Sequence, residues 1–316
     1  MAIDETYEVI IVGGGPAGLA AGLYSQRAAL KTVLFERGLI GGQIAISKDV
    51  ENYPGMEAIT GFDLAEKMAH HARSFGLNIV QQEVEAVTAG PDLHSVTLAG
   101  GELVRTVALI LAAGGSVRKL GIPGEGEYLG LGVSYCATCD GFFFRNKTVV
   151  VVGGGDTAAE EALYLSRLAG KVYLVHRGST LRASKILQNR LMSEPVIEII
   201  WNTIITEIKG SGSAVEAVSF ENTETGKKGE LPTDGVFIFI GYSPNNKLIP
   251  SAVRMNKQGF VITDDRCATN IPGIFAVGDV RQKFANQIVV AAADGCIAAL
   301  AAAHYAEAHK AGTRSA

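Results

Sequence analysis

Cys136-Ala137-Thr138-Cys139-Asp140 holds the densest reactive chemistry in this chain. Two cysteines at this spacing can close a small disulfide ring, supply half of a zinc site, or sit as unrelated small core residues. Exchange chemistry needs an attacking thiolate, which a helix amino terminus or a nearby cation favours. Asp140, directly after the second cysteine, is suited to supply and take up the proton that thiol chemistry requires, or to cap a helix. The pair begins 21 residues after Gly115 and ends 14 residues before Gly153. It therefore lies between two glycine-rich turns, a placement that suggests electrons pass through it.

The elements that must position this pair read as two repeats. The apolar run Tyr7 to Val12 predicts a buried parallel strand, and it enters Gly13-Gly14-Gly15-Pro16-Ala17-Gly18 directly. Gly13, Gly15 and Gly18 fit G-x-G-x-x-G, the turn in which glycine lets backbone approach a pyrophosphate and helix pack on strand. A helix from Leu19 to about Ala29 would aim its N–H groups at the phosphates. Strand Thr32 to Glu36 then ends in an acid 18 residues after Gly18, placed to meet a ribose hydroxyl and repel a 2′-phosphate.

The second repeat runs from strand Thr148–Val152 into Gly153-Gly154-Gly155-Asp156-Thr157-Ala158, a helix to about Leu168, and strand Lys171–Val175. Eighteen residues beyond Ala158 stands His176, followed by Arg177, with Arg182 close behind. A basic residue thus occupies the place of Glu36. One repeat favours a free ribose and the other attracts a 2′-phosphate, most simply FAD at the first and NADPH at the second.

Composition agrees with an intracellular enzyme of two α/β domains: 316 residues, 38 of them glycine, 47% hydrophobic and 19% charged. A net charge of −4 without a long basic run argues against nucleic acid as a partner. The start Met1-Ala2-Ile3-Asp4-Glu5 does not resemble a signal peptide, and no uninterrupted apolar stretch reads as a membrane span. A cytoplasmic location and no membrane association are expected. Cys267 and Cys296 lack paired spacing and are expected to be buried, inert thiols; no metal site is expected. His70, His71, His304 and His309 read as solvated helix residues.

Further along, strand Val107–Leu111 runs into Ala112 to Gly115, Gly235–Gly241 closes the second repeat, and Gly273–Asp279 reads as another strand and phosphate-facing loop. Behind it an alanine-rich helix spans about Gln287 to His304. That last piece completes the first repeat. The expected architecture is α/β, two three-layer Rossmann-like dinucleotide-binding domains, the second inserted in the first: 1–118 with 246–316 for FAD, and 119–245 for NAD(P)H and the cysteine pair. The crossings near Val117–Leu120 and Ser243–Ile249, marked by Pro123, Pro244 and Pro250, would form a hinge.

Over nearly its full length the chain resembles the low-molecular-weight thioredoxin reductases. The resemblance is carried by Gly13 to Gly18, Gly41-Gly42-Gln43, Glu51-Asn52-Tyr53-Pro54-Gly55, Cys136 to Gly141, Gly153 to Ala158 and Gly273 to Asp279. It implies a homodimer in which NADPH reduces FAD, FAD reduces a Cys136–Cys139 disulfide, and the dithiol reduces thioredoxin. Cys139 would be the flavin-side sulfur, Cys136 the exchange thiol and Asp140 the proton donor and acceptor. FAD would be held by Gly13, Gly15, Pro16, Ala17, Gly18, Glu36 and Arg37, by Gly42, Gln43, Asn52 and Val84, and by Ala113, Gly114, Gly278, Asp279, Gln287 and Ile288. NADPH would be held by Gly153, Gly155, Asp156, Thr157 and Ala158, then His176, Arg177, Arg182 and Gly241. Two departures stand out. Gly178 replaces an Arg usual beside the 2′-phosphate, which lowers the discrimination against NADH, and Asn286 replaces an Arg often found before the flavin-contacting Gln287. The alternative is a flavoenzyme of the same fold with NADH or reduced ferredoxin as donor, or with another acceptor; a non-catalytic redox sensor would need neither both cysteines nor a second nucleotide site.

Overall fold

The computed structural model describes residues 6–47, 50 and 52–312. The start Met1 to Glu5 and Glu51 of the expected flavin motif lie outside the described residues. The chain divides into two compact units, Met1–Ser116 with Ser243–Ala316, and Val117–Tyr242.

In the first unit β1 (Thr6–Val12), α1 (Pro16–Arg27) and β2 (Thr32–Glu36) are followed by α2 (Gly61–Ser74), β3 (Asn78–Gln81), β4 (Val84–Thr88), β5 (His94–Leu98) and β6 (Leu103–Leu111). The sheet runs β3-β2-β1-β6 in parallel, and β6 is long enough to serve two neighbours. Its first half pairs antiparallel with β5, while its last residues pair parallel with β17 (Ile274–Ala276). Alternation along β1 decides the layers: Val9 and Ile11 face α1, α2 and the last helix, α6 (Ile288–Lys310), whereas Ile10 and Val12 pack with Val84, Val96 and Val104. Helix α1 starts with Pro16, whose missing N–H costs nothing in a first turn. Helix α2 is capped by Thr60, which accepts the Asp63 N–H at 3.0 Å.

Helix α6 is long and apolar enough to cross a membrane by length and composition alone. One face of it packs on α1. A Cβ at Gly295 would lie 2.1 Å from the Ala17 carbonyl oxygen, so α6 and α1 approach backbone to backbone, and Ala291, Ala298 and Ala302 are buried.

The second unit contains β8 (Val133–Ser134), α3 (Ala137–Asp140), β9 (Thr148–Gly153), α4 (Asp156–Leu165), β10 (Lys171–Val175), α5 (Lys185–Ser193) and β11 (Ile197–Ile200). Its parallel sheet has the order β11-β10-β9-β15-β8, with β15 at Gly235–Phe239. The same alternation recurs: Val149 and Val151 face the helices, and Val150 and Val152 face Ile205, Val215 and Val218. Those last residues belong to an antiparallel sheet of β12 (Thr203–Gly210), β13 (Val215–Asn222) and β14 (Lys228–Pro232), which the sequence reading did not anticipate. Each unit thus carries helices on one face of its parallel sheet and antiparallel strands on the other. The crossing segments β7 (Gly115–Val117) and β16 (Tyr242–Pro244) pair with each other as a two-stranded sheet.

Candidate active site

Cys136 and Cys139 are joined as a disulfide at the start of α3. The chain leaves β8 at Ser134, and Cys136 takes the extended conformation of an N-cap, with its sulfur accepting the Cys139 N–H at 3.2 Å. Thr138 Oγ1 lies 3.4 Å from the same sulfur. A reduced Cys136 would therefore face two groups able to donate to it, the arrangement that stabilises a thiolate. Ser134 Oγ accepts the Cys136 N–H at 3.0 Å and donates to Asp140 Oδ2 at 2.5 Å. Ser134 was not singled out by the sequence; only the fold brings it to the pair. Asp140 is not the cap of α3, because Cys136 occupies that position, and at the head of the following 3-10 turn its side chain makes no capping bond. Phe142 and Phe143, just beyond, are 56% and 41% exposed.

In the first unit the glycine turn is dictated by backbone contacts. Gly13 has φ +112°, and a Cβ there would lie 2.3 Å from Ala112 O; at Gly18 a Cβ would lie 1.9 Å from Gly13 O. Gly15 is the N-cap of α1, with no side-chain cap, followed by Pro16 and the buried Ala17. Glu36 accepts Gly14 N–H on one oxygen at 2.6 Å and Gly38 N–H on the other at 2.7 Å. A carboxylate keeps acceptor capacity beyond two bonds. Gly41 donates to Gly14 O at 2.8 Å, seating Gly42 and Gln43 beside the turn. Gly278, at φ +70°, packs on Ala17, where its Cβ would lie 3.0 Å from the Ala17 Cβ. Asn52 Nδ2 donates to Gln287 Oε1 at 3.3 Å, bringing together two expected flavin residues 235 positions apart. Ala113 and Gly114 are clamped by Asn245, which donates to both carbonyls at 2.9 and 3.0 Å and was missed from sequence. Arg37 pairs with the exposed Glu83 at 3.4 Å, and Val84 is buried in the core of its unit.

Behind the Gly278–Asp279 turn lies a buried charge network. Asp294 Oδ1 meets Arg281 at 2.6 Å, its Oδ2 accepts Gly278 N–H at 3.1 Å, and Lys283 Nζ stands 2.9 Å from Asp279 Oδ1. Ile288 begins α6 next to it.

The second glycine turn repeats the first with one change. Gly155, like Gly15, is an uncapped N-cap, and a Cβ there would touch nothing within 4 Å. Asp156 and Thr157 are exposed, with Asp156 accepting Ser184 N–H at 2.6 Å. Ala158 fills the place of Gly18 and is fully buried against Gly153. His176 is at Glu36's place: Gly154 packs on its ring as Gly14 packs on Glu36. The ring is buried, with Nδ1 2.9 Å from Gly153 O and Nε2 2.9 Å from Thr180 O. Arg177 and Arg182 are exposed, and Gly241, at φ +129°, ends the unit with its carbonyl held by Arg118 N–H.

The remaining cysteines differ from each other. Cys267 is buried, and burial raises its thiol to about 11, which makes it inert at neutral pH. Cys296 is half-buried, contrary to the expectation of burial, and lies on α6 beside Tyr24 of α1. No cluster of metal-ligating side chains occurs among the described residues. His70, His71 and His304 are exposed, and His309 is half-buried.

Residues 7–295 match the family described as pyridine nucleotide-disulphide oxidoreductase. The chain belongs to that family. Thioredoxin reductase of Bacillus subtilis is 46% identical over 307 residues, 97% of either chain, and that of Treponema pallidum is 45% identical over 304 residues, covering 96% of this chain and 98% of its own. The solved thioredoxin reductase of Streptococcus pyogenes superposes with a TM-score of 0.93 at 41% identity, covering 96% of this chain and 99% of its own. Within the pyridine nucleotide-disulphide oxidoreductases this chain falls with the thioredoxin reductases, as an oxidoreductase of disulfides that uses a flavin and a pyridine nucleotide.

Proposed function

We propose that the chain reduces oxidised thioredoxin, taking electrons from NADPH through FAD and then through the Cys136–Cys139 pair. The observation that carries this reading is the disulfide itself, seated with its Cys136 sulfur toward the Cys139 N–H and Thr138, and with Asp140 held by Ser134.

The residues fit the two cofactors. A Cβ at Gly155 would meet open space and one at Gly15 only Gly41 O at 3.9 Å, and the helix starts behind them have no side-chain cap, which leaves N–H donors for a pyrophosphate. Glu36, Asn52, Gln287 and the Gly278–Asp279 turn would hold FAD in the first unit, along with the other residues of that set. FAD there would supply the two-electron link between hydride donor and disulfide. In the second unit Gly153 to Ala158 would hold the coenzyme. Arg177 and Arg182 are the cations offered to a 2′-phosphate, while the buried His176 fixes the turn. With Gly178 in place of a third cation, NADPH is preferred by a smaller margin over NADH, each charge-assisted contact being worth about 1.5–3 kcal/mol.

The chain's own sulfur chemistry balances as follows. Two electrons cleave the Cys136–Cys139 bond, leaving Cys136 as the thiolate and Cys139 as the thiol once Asp140 has passed it a proton. Cys136 thiolate attacks the thioredoxin disulfide, forming a mixed disulfide and expelling one thioredoxin sulfur as a thiolate, which takes a proton from solvent. Cys139 returns its proton to Asp140 and attacks Cys136, restoring the ring and releasing the second thioredoxin sulfur, which takes a second proton from solvent. The exposed Phe142 and Phe143 beside the pair suit the docking of a protein substrate. A homodimer is proposed from the uncovered apolar side of α6, where Val289, Ile297 and Leu300 are each at least 40% exposed. The cytoplasm is the proposed location.

Anaerobic titration with NADPH and with NADH should bleach the bound flavin, and addition of oxidised thioredoxin should restore its colour with multiple turnovers. Bleaching without any reduction of thioredoxin would overturn the proposed acceptor.

A further inference from the structure

One cation of the first unit is buried without a hydrogen bond. The Lys283 side chain is 5% exposed, and among the described residues its Nζ has no hydrogen-bond partner. It stands 2.9 Å from Asp279 Oδ1 and 3.7 Å from Asp294 Oδ2, close enough to pair by charge. Buried polar groups are nearly always hydrogen-bonded, and an ammonium carries three donors. What Lys283 contributes here is therefore its charge.

The charges around it are ordered from the inside outward. Asp294 is held at both oxygens, by Arg281 on Oδ1 at 2.6 Å and by Gly278 N–H on Oδ2 at 3.1 Å, and Arg281 in turn donates from Nε to Thr263 Oγ1 at 2.8 Å. Arg281, Lys283 and Asp294 are thereby fixed inside the unit. Asp279 differs from the other three. Its Oδ1 is buried on the Lys283 side, yet 27% of its side chain is exposed, so the network presents the remainder of this one carboxylate at the surface of the turn. An ionised carboxylate only accepts hydrogen bonds, which suits it to the hydroxyl groups of FAD and sets it against the phosphates. Such a charge-assisted bond is roughly twice as strong as one to a neutral acceptor, but only where the oxygen is correctly aimed.

We infer that Lys283 is a positioning residue for FAD, a buried counter-charge that draws Asp279 Oδ1 inward and so turns the rest of the carboxylate outward to accept from the flavin nucleotide. The inference rests on the reading that Asp279 holds FAD. Asp294, Arg281 and the Gly278 N–H serve the same end by fixing the place of the ammonium and of the turn.

The test is a double-mutant cycle on the full-length holoenzyme, with wild type, Lys283→Met, Asp279→Asn and the double variant. Each is diluted serially, and released FAD is read from its fluorescence as a dissociation constant. Lys283→Met should raise that constant about fivefold or more, the equivalent of half a charge-assisted hydrogen bond. Lys283→Arg, which keeps the charge, should recover much of the loss. The double variant should bind FAD no more weakly than Asp279→Asn alone, because Lys283 acts through Asp279. If Lys283→Met does not accumulate as folded protein, Lys283→Gln takes its place in the cycle. A wild-type constant in the Met or Gln variant, an Arg variant no better than it, or losses that add in the double variant would overturn the inference. An unchanged constant in Asp279→Asn would instead remove Asp279 from the flavin site, and the inference with it. No measurement involves thioredoxin or coenzyme, so failure of the proposed acceptor would leave this result standing, and the reverse.

Discussion

Gly154 and Gly155 are neighbours in one turn, yet alanine at each should produce opposite phenotypes. At Gly154 a Cβ would lie 2.2 Å from Nδ1 and 2.3 Å from Cε1 of His176. That ring has nowhere to retreat, being enclosed by two carbonyl oxygens at 2.9 Å. Relief requires giving up the bond that its single N–H donates to one of them, at about 0.5–1.5 kcal/mol, and overpacking adds about 1–3 kcal/mol. Gly154→Ala should thus destabilise the second unit by about 1.5–4.5 kcal/mol. At Gly155 a Cβ meets nothing within 4 Å, and φ −94° with ψ −177° suits alanine. The poorer cap costs under about 1 kcal/mol, offset by about 0.4–1 kcal/mol from a stiffer unfolded chain. Stability should therefore hold, while the new methyl group blocks a pyrophosphate and raises the KM for coenzyme. Trp201 is the sole tryptophan, belongs to the second unit, and sits edge-on to His176 with ring centroids 6.3 Å apart. Its fluorescence during urea unfolding reports the relevant unit. Equal midpoints for Gly154→Ala and wild type, or equal losses in the two variants, would refute the packing argument; an unchanged coenzyme KM in Gly155→Ala would remove the turn from the binding site.

Cys139→Ser and Cys136→Ser should each keep flavin reduction by NADPH and lose thioredoxin reduction, because hydride transfer precedes the thiols; turnover in either single variant would eliminate the dithiol relay. Gly178→Arg should lower the KM for NADPH with little change for NADH, read from steady-state kinetics, and an equal response of both coenzymes would place the 2′-phosphate elsewhere. Asp294→Asn should cost about 3–5 kcal/mol in denaturant unfolding, since it leaves the largely buried Arg281 short of its counter-charge, while Lys283 keeps Asp279 at 2.9 Å. His94 is buried, and burial holds it below its ordinary value of 6.5 despite the bond to Pro272 O. Its folded-state value is the depressed one, so its contribution is complete above about pH 6.5 and is lost as pH falls, at up to about 1.4 kcal/mol per pH unit. Unfolding curves at several pH values should show this slope in the wild type and a smaller one in His94→Gln; equal slopes would assign the effect to another group.

The parts of the fold legible in the sequence are those where backbone geometry demands one residue type. Gly13 and Gly18 face carbonyl oxygens at distances no Cβ tolerates, and the strand-turn-helix order on either side follows from that turn. The counting that paired Glu36 with His176 also holds, since each packs over the middle glycine of its own turn. What escaped has physical reasons. The β12–β14 sheet was obscured because its pairing slips between Ile205 and Glu207 and again between Lys209 and Gly210, which breaks the period-two signal. Ser134 and Asn245 are small polar residues without a motif, and their partners are fixed only by folding. His176 looked like a free basic side chain because nothing in a linear sequence reveals that two carbonyls enclose its ring. Cys296 has apolar neighbours in sequence but is only half-buried, beside the exposed Tyr24.

The pairing of β7 with β16 brings together the two points where the chain enters and leaves Val117–Tyr242. Arg118 N–H and Gly241 O meet at 2.9 Å, so the inserted segment begins and ends at nearly one place. An insertion with adjoining ends leaves its host's backbone almost as it would be with a tight turn there. The segment 117–242 can therefore be excised as a continuous, separately expressed domain, and the host closed by a few residues of linker. The same adjacency lets evolution exchange the disulfide-bearing segment in a single recombination event, without disturbing the strands of the first unit.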